Sequence, residues 1–235
     1  MSGGAAARWA VIIPAAGAGR RFGGQTPKVE LELAGRPAFL HAVNRFLERA
    51  DVVEVLLAVA PGDEARFAER WGVALPGRVR VVTGGEADRW QTVQRALAEV
   101  GAGVTHVAVH DAARPAVSAA LVARVFAAAV ASGAVVPAVP VADTLVRVVD
   151  GRVAGVVDRA GVSGVQTPQA FARGLLERAY AALPADGGGV TDDASVVRRA
   201  GHLVPVVPGE RGNVKLTSRD DVTVLTGVLS ADRGA

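Results

Sequence analysis

A short apolar run that breaks into a glycine-rich, arginine-bearing loop constrains this chain more than any other feature. Ala10-Val11-Ile12-Ile13 has the composition of a strand buried on both faces of a parallel sheet. Pro14 ends the strand, Gly17 and Gly19 permit backbone conformations that a Cβ would forbid, and Arg20, Arg21 and Lys28 bring positive charge. A loop of this kind at the carboxyl end of a first strand leaves successive N–H groups free to point at one anion. The expected guest is a phosphate chain.

Two familiar phosphate loops do not fit it. The P-loop needs Gly-Lys-Ser/Thr opening a helix, whereas Gly19 is followed by Arg20, and Lys28 stands nine residues on, behind Pro27. The dinucleotide fingerprint needs GxGxxG, but the third glycine arrives one residue late, at Gly23, with no acidic residue about twenty positions further on. What remains is a loop that turns back over its ligand, with Arg21 and Lys28 reaching a triphosphate from two directions. The bland alternative is a Gly/Ala turn with solvated arginines.

A chain of 235 residues, half of them hydrophobic, is long enough for one large α/β domain, expected to span 1–235. It contains no apolar run of the roughly 18 residues that a membrane span needs, and the stretch 1–8 has no apolar segment of a secretory signal. Cysteine is absent, which excludes disulfides, thiolate nucleophiles and Cys-ligated zinc and permits a cytoplasmic location. The net charge of +3 is scattered, and three Trp and one Tyr make a poor stacking platform, so neither nucleic acid nor membrane is an expected partner. Among 26 basic residues only Lys28 and Lys215 are lysine. An ammonium is a compact point charge that guanidinium does not replace against phosphate, so both become site candidates.

Beyond the loop, strand and helix signals alternate. Val29 to Leu33 reads as a short half-buried strand, Gly35-Arg36-Pro37 as a turn, and Pro37 as the first turn of a helix to about Ala50 with Phe39, Leu40, Val43, Phe46 and Leu47 on one face. Val53–Ala60 reads as a buried strand and Val79–Thr83 as a further strand, on either side of a helix that Pro61-Gly62-Asp63 opens and Trp71 closes. Gly84-Gly85, followed by Arg89 and Thr92, is a second glycine pair at a strand's carboxyl end, the edge where open α/β sheets place ligands. The strand from Thr105 runs straight into Asp111, a carboxylate suited to a magnesium ion that bridges phosphate oxygens, or else to capping the turn. Arg114 and Pro115 lead into a helix over 118–131, and Val135–Val141 is a further strand. The expected fold is therefore a Rossmann-like, doubly wound, mostly parallel sheet.

The pattern then changes. Asp143–Val148 and Val153–Val157, joined through Asp150-Gly151, form a hairpin by turn chemistry. An antiparallel hairpin inserted into a parallel sheet has edges that need covering, so the segment 142–164 is expected to be an arm shared with a second subunit. Gln166-Thr167-Pro168-Gln169 is read as opening a helix to about Leu183, and Thr191 as a helix N-cap with Asp192 and Asp193 in the first turn. Leu203–Val207 and Asn213–Thr217 read as late strands, with Ser218 opening a last helix. His41, His106, His110 and His202 show no zinc spacing, and no GxSxG elbow is present.

Pro14-Ala15-Ala16-Gly17-x-Gly19-x-Arg21 with Pro27-Lys28 resembles the signature loop of nucleotidyltransferases that join a sugar phosphate to a nucleoside triphosphate. HDAARP at 110–115, Asp143-Thr144, VDR at 157–159, QTPQ at 166–169, VTDDAS at 190–195 and NVKLT at 213–217 then fall in the order of one family, the 2-C-methyl-D-erythritol 4-phosphate cytidylyltransferases of non-mevalonate isoprenoid synthesis. The chain departs from that family at Thr92, where serine is usual, at one extra residue before Arg89, and at Ser163 in place of tryptophan.

The resemblance implies a nucleotidyltransferase fold, Mg²⁺, and a homodimer built through the arm. It implies catalytic roles for Arg21 and Lys28, and CTP contacts from Pro14, Ala15, Ala16, Gly17, Gly19, Gly84, Gly85, Arg89, Thr92, Asp111 and Ala112, with Asp111 on the metal. The acceptor, a polyol phosphate, would be held by Arg114, Thr144, Arg159, Thr167, Thr191 and Lys215, with Thr144 and Arg159 acting in the neighbouring subunit. A cytidylyltransferase for ribitol 5-phosphate, and a non-catalytic nucleotide-binding protein on the same fold, are the alternatives.

Overall fold

The computed structural model describes residues 6–17 and 27–232. Its strands are β1 (Trp9–Pro14), the two-residue β2 (Glu32–Leu33) and β3 (Arg36–Pro37), β4 (Val52–Val59), β5 (Val79–Thr83), β6 (His106–Val109), β7 (Ala134–Pro140), β8 (Leu145–Val149), β9 (Arg152–Val157), β10 (Ser163–Val165), β11 (Gln169–Ala172) and β12 (Val206–Pro208). The helices are α1 (Ala38–Leu47), α2 (Glu64–Trp71), α3 (Arg89–Ala98), α4 (Ala119–Ser132), α5 (Arg173–Ala181), α6 (Asp193–Arg199) and α7 (Asp220–Asp232).

The main sheet has the order β10-β7-β11-β6-β1-β4-β5, with β12 paired to β7. β1 lies centrally, parallel to β4 and β6, and β4 is parallel to β5. Because side chains alternate along a strand, β1 feeds two cores. Trp9, Val11 and Ile13 join α1, α2, α4 and α7 on one face through residues such as Phe46, Phe67, Val125 and Leu225. Ala10 and Ile12 join α3, α5 and α6 on the other through Val93, Leu176 and Val197. Helices on both faces make the sheet doubly wound, as expected, and put the carboxyl ends of β1, β4, β5 and β6 on one edge.

Several expected elements differ. Gln169–Ala172 is a strand, not the start of a helix: β11 runs antiparallel between β6 and β7, and its helix begins only at Arg173. The four residues are too few to show a period, and the pairing that makes them a strand comes from distant segments. Val29 and Glu30 lie in a 3₁₀ turn, Lys28–Glu30, so the strand begins at Glu32. Pro37 sits at the N-cap of α1, which stops at Leu47. Asp192, not Thr191, caps α6, its carboxylate accepting the Ser195 N–H at 2.9 Å. The segment 213–217 is not a strand but is laid against the chain after β6 by one backbone bond, Leu216 N–H to the Ala113 carbonyl at 2.7 Å. Of the expected Leu203–Val207 strand only Val206 and Val207 pair, and β12 runs on to Pro208.

β8 and β9 form a two-stranded sheet of their own. Asp150 at φ 50° and Gly151 at φ 73° make the tight reversal that Asp-Gly encodes, and the hairpin leaves the main body between Val141 and Val162, where the Val141 N–H meets the Val162 carbonyl at 3.4 Å.

Candidate active site

A cavity of about 290 Å³ opens at the carboxyl edge of the sheet. Its first wall is Pro14, Ala15, Ala16 and Gly17 with Lys28 and Val29; its second is Gly85 to Arg89 with Thr92; its floor is Asp111, Ala112 and Ala113 with Lys215. The first wall is pinned where the Ala15 N–H donates to the Ala58 carbonyl at 2.7 Å. In the second, the Gly84 N–H donates to the Val59 carbonyl at 2.7 Å, and a Cβ at Gly84 would stand 2.7 Å from that same oxygen. Only glycine permits this approach. Gly84 therefore holds the loop from behind and does not line the cavity. The Gly85 N–H donates to Thr92 Oγ1 at 3.0 Å, which gives the threonine hydroxyl a structural task that needs no serine. Gln91 Oε1 accepts the N–H groups of Ala87 and Asp88 at 3.2 and 3.1 Å and so fixes the turn before Arg89.

The floor carries the charge. Asp111, about 9 % exposed, receives Arg89 Nε on Oδ1 at 2.9 Å and Lys215 Nζ on Oδ2 at 2.6 Å. Burial alone would push this carboxyl up, but Arg89 and Lys215 outweigh it and hold Asp111 well below the usual carboxylate range. Arg89 continues to Asp193, Nη1 to Oδ2 at 2.8 Å, and Asp193 Oδ1 accepts the Tyr180 hydroxyl at 2.7 Å. Burial opposes the Arg89 charge, while Asp193 and Asp111 more than restore it.

Behind the floor runs a buried chain of hydrogen bonds. His110 Nε2 faces the Arg114 carbonyl at 3.0 Å and must donate to it, so Nδ1 accepts from the Thr167 hydroxyl at 3.1 Å. Thr167 Oγ1 in turn accepts the Asp111 N–H at 3.1 Å. Burial lowers His110 to about 4, so the ring stays neutral and the chain keeps one polarity at neutral pH. Asn213 Nδ2 donates to the Thr167 carbonyl at 2.8 Å, and Arg114 Nη1 donates to the Asn213 carbonyl at 2.6 Å. Three segments remote in sequence thus lock the turn that presents Asp111.

Pro14, Ala15, Ala16, Gly17, Lys28, Gly85, Arg89, Thr92, Asp111, Ala112 and Lys215 line one cavity. Gly19 and Arg21 lie outside the described residues. Arg114 and Thr167 stand one layer behind the floor, Thr167 with about 5 % exposure. Thr144 and Arg159 sit exposed at the root of the hairpin, where Arg159 Nη1 donates to the Ala142 carbonyl, and Thr191 is exposed beside the α6 cap; none of the three lines this cavity. Sequence reading misses His110, Gln91 and Asp193. By position Asp193 is a helix-dipole residue, yet it is fully buried under Arg89. The available signal is Arg89 itself, an arginine beside a buried edge that needs a second acid.

Among the described residues no cluster of three or more His, Asp or Glu forms a ready metal site. The one carboxylate on the floor suits magnesium, which keeps water and commonly binds through one or two carboxylates plus substrate phosphates. Both Asp111 oxygens already meet cations, so a metal would take one in place of a side chain. Lys215, about 40 % exposed against 26 % for Arg89, has more room to yield.

Residues 9–230 match the family model described as IspD: 2-C-methyl-D-erythritol 4-phosphate cytidylyltransferase. The 2-C-methyl-D-erythritol 4-phosphate cytidylyltransferase of Cereibacter sphaeroides strain KD131 is 45% identical over 226 residues, covering 96% of this chain and 98% of its own. The protein of the same name from Rhodopirellula baltica is 39% identical over 243 residues, covering 97% of each chain. Among solved structures, the 2-C-methyl-D-erythritol 4-phosphate cytidylyltransferase of Thermus thermophilus superposes with a TM-score of 0.78 at 34% identity, covering 93% of this chain and 98% of that one. Another, titled 4-diphosphocytidyl-2C-methyl-D-erythritol synthase, gives 0.81 at 32% identity over 95% and 99% of the two chains. Sequence, fold and the lysine-and-aspartate cavity agree, and the chain belongs to the 2-C-methyl-D-erythritol 4-phosphate cytidylyltransferase family of nucleotidyltransferases.

Proposed function

We propose that the chain transfers the cytidylyl group of CTP to 2-C-methyl-D-erythritol 4-phosphate in a magnesium-dependent reaction, giving 4-diphosphocytidyl-2-C-methyl-D-erythritol and pyrophosphate. The observation that carries this reading is that both lysines of the chain, far apart in sequence, line one cavity around Asp111. A phosphate oxygen of the acceptor attacks the α-phosphorus, one O–P bond forms, and the bond to the bridging oxygen breaks as pyrophosphate leaves with its electrons. Two polyanions must meet, so positioning and charge neutralisation carry the catalysis. The Ala15–Gly17 wall and Lys28 take the triphosphate, with Arg21 assigned beside them by family resemblance. Arg89 holds Asp111 ionised, and Lys215 faces the acceptor phosphate. Asp111 would hold magnesium, which when bound would supply positive charge against the phosphates.

The acceptor side needs a second copy of the chain. Val148, Val149, Val153 and Val156 of the hairpin are 59–73% exposed, and an isolated two-stranded sheet is marginal in water. A partner arm covering these valines supplies what the hairpin lacks and carries Thr144 and Arg159 toward the neighbouring cavity. The reading includes a cytoplasmic location, where CTP is available.

Pyrophosphate release tests it, with Mg²⁺, each nucleoside triphosphate, and either 2-C-methyl-D-erythritol 4-phosphate or ribitol 5-phosphate. Release with CTP and the methylerythritol phosphate alone is expected. Preference for ribitol 5-phosphate would keep the chemistry and replace the acceptor; no release with any pair would leave a nucleotide-binding protein.

A further inference from the structure

Glu30 is an unexpected residue to find buried two positions after a lysine that faces the cavity. Its side chain is about 1% exposed and is gripped from α2: Arg66 Nη2 meets Oε1 at 3.0 Å, and Arg66 Nη1, Arg70 Nη1 and Trp71 Nε1 meet Oε2 at 3.4, 3.2 and 3.1 Å. Arg66 is held on its other side by Asp63, at 3.0 Å. A carboxylate buried this deeply is fixed in place by its charged donors, since leaving them would strand an unpaired charge away from water.

The backbone carries that fixation to Lys28. The Glu30 N–H donates to the Pro27 carbonyl at 2.8 Å and the Leu31 N–H to the Lys28 carbonyl at 3.3 Å, so Lys28, Val29 and Glu30 form one closed turn. Two residues span at most about 7 Å of chain, so a shift of Glu30 moves Lys28. A second cavity of about 260 Å³ lies on this side, and it shares Ala15, Ala16, Gly17 and Val29 with the first. The Glu30 cluster therefore stands directly behind the wall assigned to the triphosphate.

We propose that Glu30 is a positioning residue for Lys28: clamped by Arg66, Arg70 and Trp71, it fixes the turn at the end of the glycine loop and so sets where the Lys28 ammonium stands over the cavity. The proposal rests on the cytidylyl-transfer reading for its kinetic consequence, but not for its structural one.

Because the chain has only two lysines, lysine labelled with ¹³C at Cε gives two NMR signals, which a Lys215→Arg variant assigns. In Glu30→Gln the Lys28 signal is expected to shift or broaden while that of Lys215 stays. Turnover should fall about tenfold to a hundredfold, the scale of an ångström-sized misplacement, with the KM for CTP changed less. An unmoved Lys28 signal in the folded variant overturns the proposal, whatever turnover does. Should Glu30→Gln fail to fold, Arg70→Gln, which removes a half-exposed partner, decides by the same signal: movement supports the clamp and no movement refutes it. A wild-type protein that turns over no nucleotide would sink the activity reading and leave the signal test intact.

Discussion

The floor of the cavity and the β-hairpin are opposite solutions to placing polar function on one chain. Around Asp111 each charged group has partners within the chain: Arg89 and Lys215 on the carboxylate, Asp193 behind Arg89, and the His110–Thr167 chain under the backbone. The hairpin instead pairs only with itself and turns valines outward. The floor is finished by folding, whereas the proposed function has a second copy of the chain cover the hairpin. Residues whose task lies within one subunit should therefore fail through chemistry or stability, and arm residues through assembly and acceptor binding.

The largest effect expected is on the cavity side of that division, in the wall that faces the floor. Lys28→Ala should lower kcat, read by pyrophosphate release, by roughly two to three orders of magnitude, the scale for removing one preorganised charge stabiliser; near-normal turnover would remove Lys28 from the mechanism. Next comes His110. Its folded value of about 4 lies below the unfolded value near 6.5, so the unfolded chain binds more protons between these limits. Stability is then complete above about pH 6.5 and falls as pH drops toward 4, by about 3 kcal/mol from this group. Urea unfolding across that range should show the slope, and His110→Gln should flatten it.

On the arm side the effects are smaller and differently distributed. Arg159→Ala should raise the KM for the acceptor roughly tenfold, the lower range for losing a charged hydrogen bond, and leave CTP affinity unchanged. Equal loss of both would erase the distinction between the two regions. Val148→Lys with Val156→Lys should shift sedimentation from dimer toward monomer while changing the stability of each subunit by at most about 0.5 kcal/mol per site.

Legibility in the sequence follows the same division. The strands whose signal is local, such as Ala10–Ile13 and Val55–Val59, are readable because both-face burial leaves an unbroken apolar run. β11 is not, since Gln-Ala-Phe-Ala carries helix-compatible residues and becomes a strand only by lying between β6 and β7. In the site, Lys28 and Lys215 stand out by residue type, and Asp111 by its position just past the end of β6. Asp193 and His110 do not: their partners, Arg89 and Thr167, are separated from them by long stretches of chain, and side-chain networks of that reach leave no periodic trace. Lys215 is expected on a strand and arrives instead on a coil tied to Ala113, so its place is right for a different reason.

The most direct measurement is the crystal structure of the protein with CTP and Mg²⁺. The account predicts the triphosphate between the Ala15–Gly17 wall and Lys28, the metal on Asp111, and Lys215 displaced from that carboxylate. A nucleotide bound elsewhere, or an Asp111 that keeps both Arg89 and Lys215 with no metal contact, would contradict it.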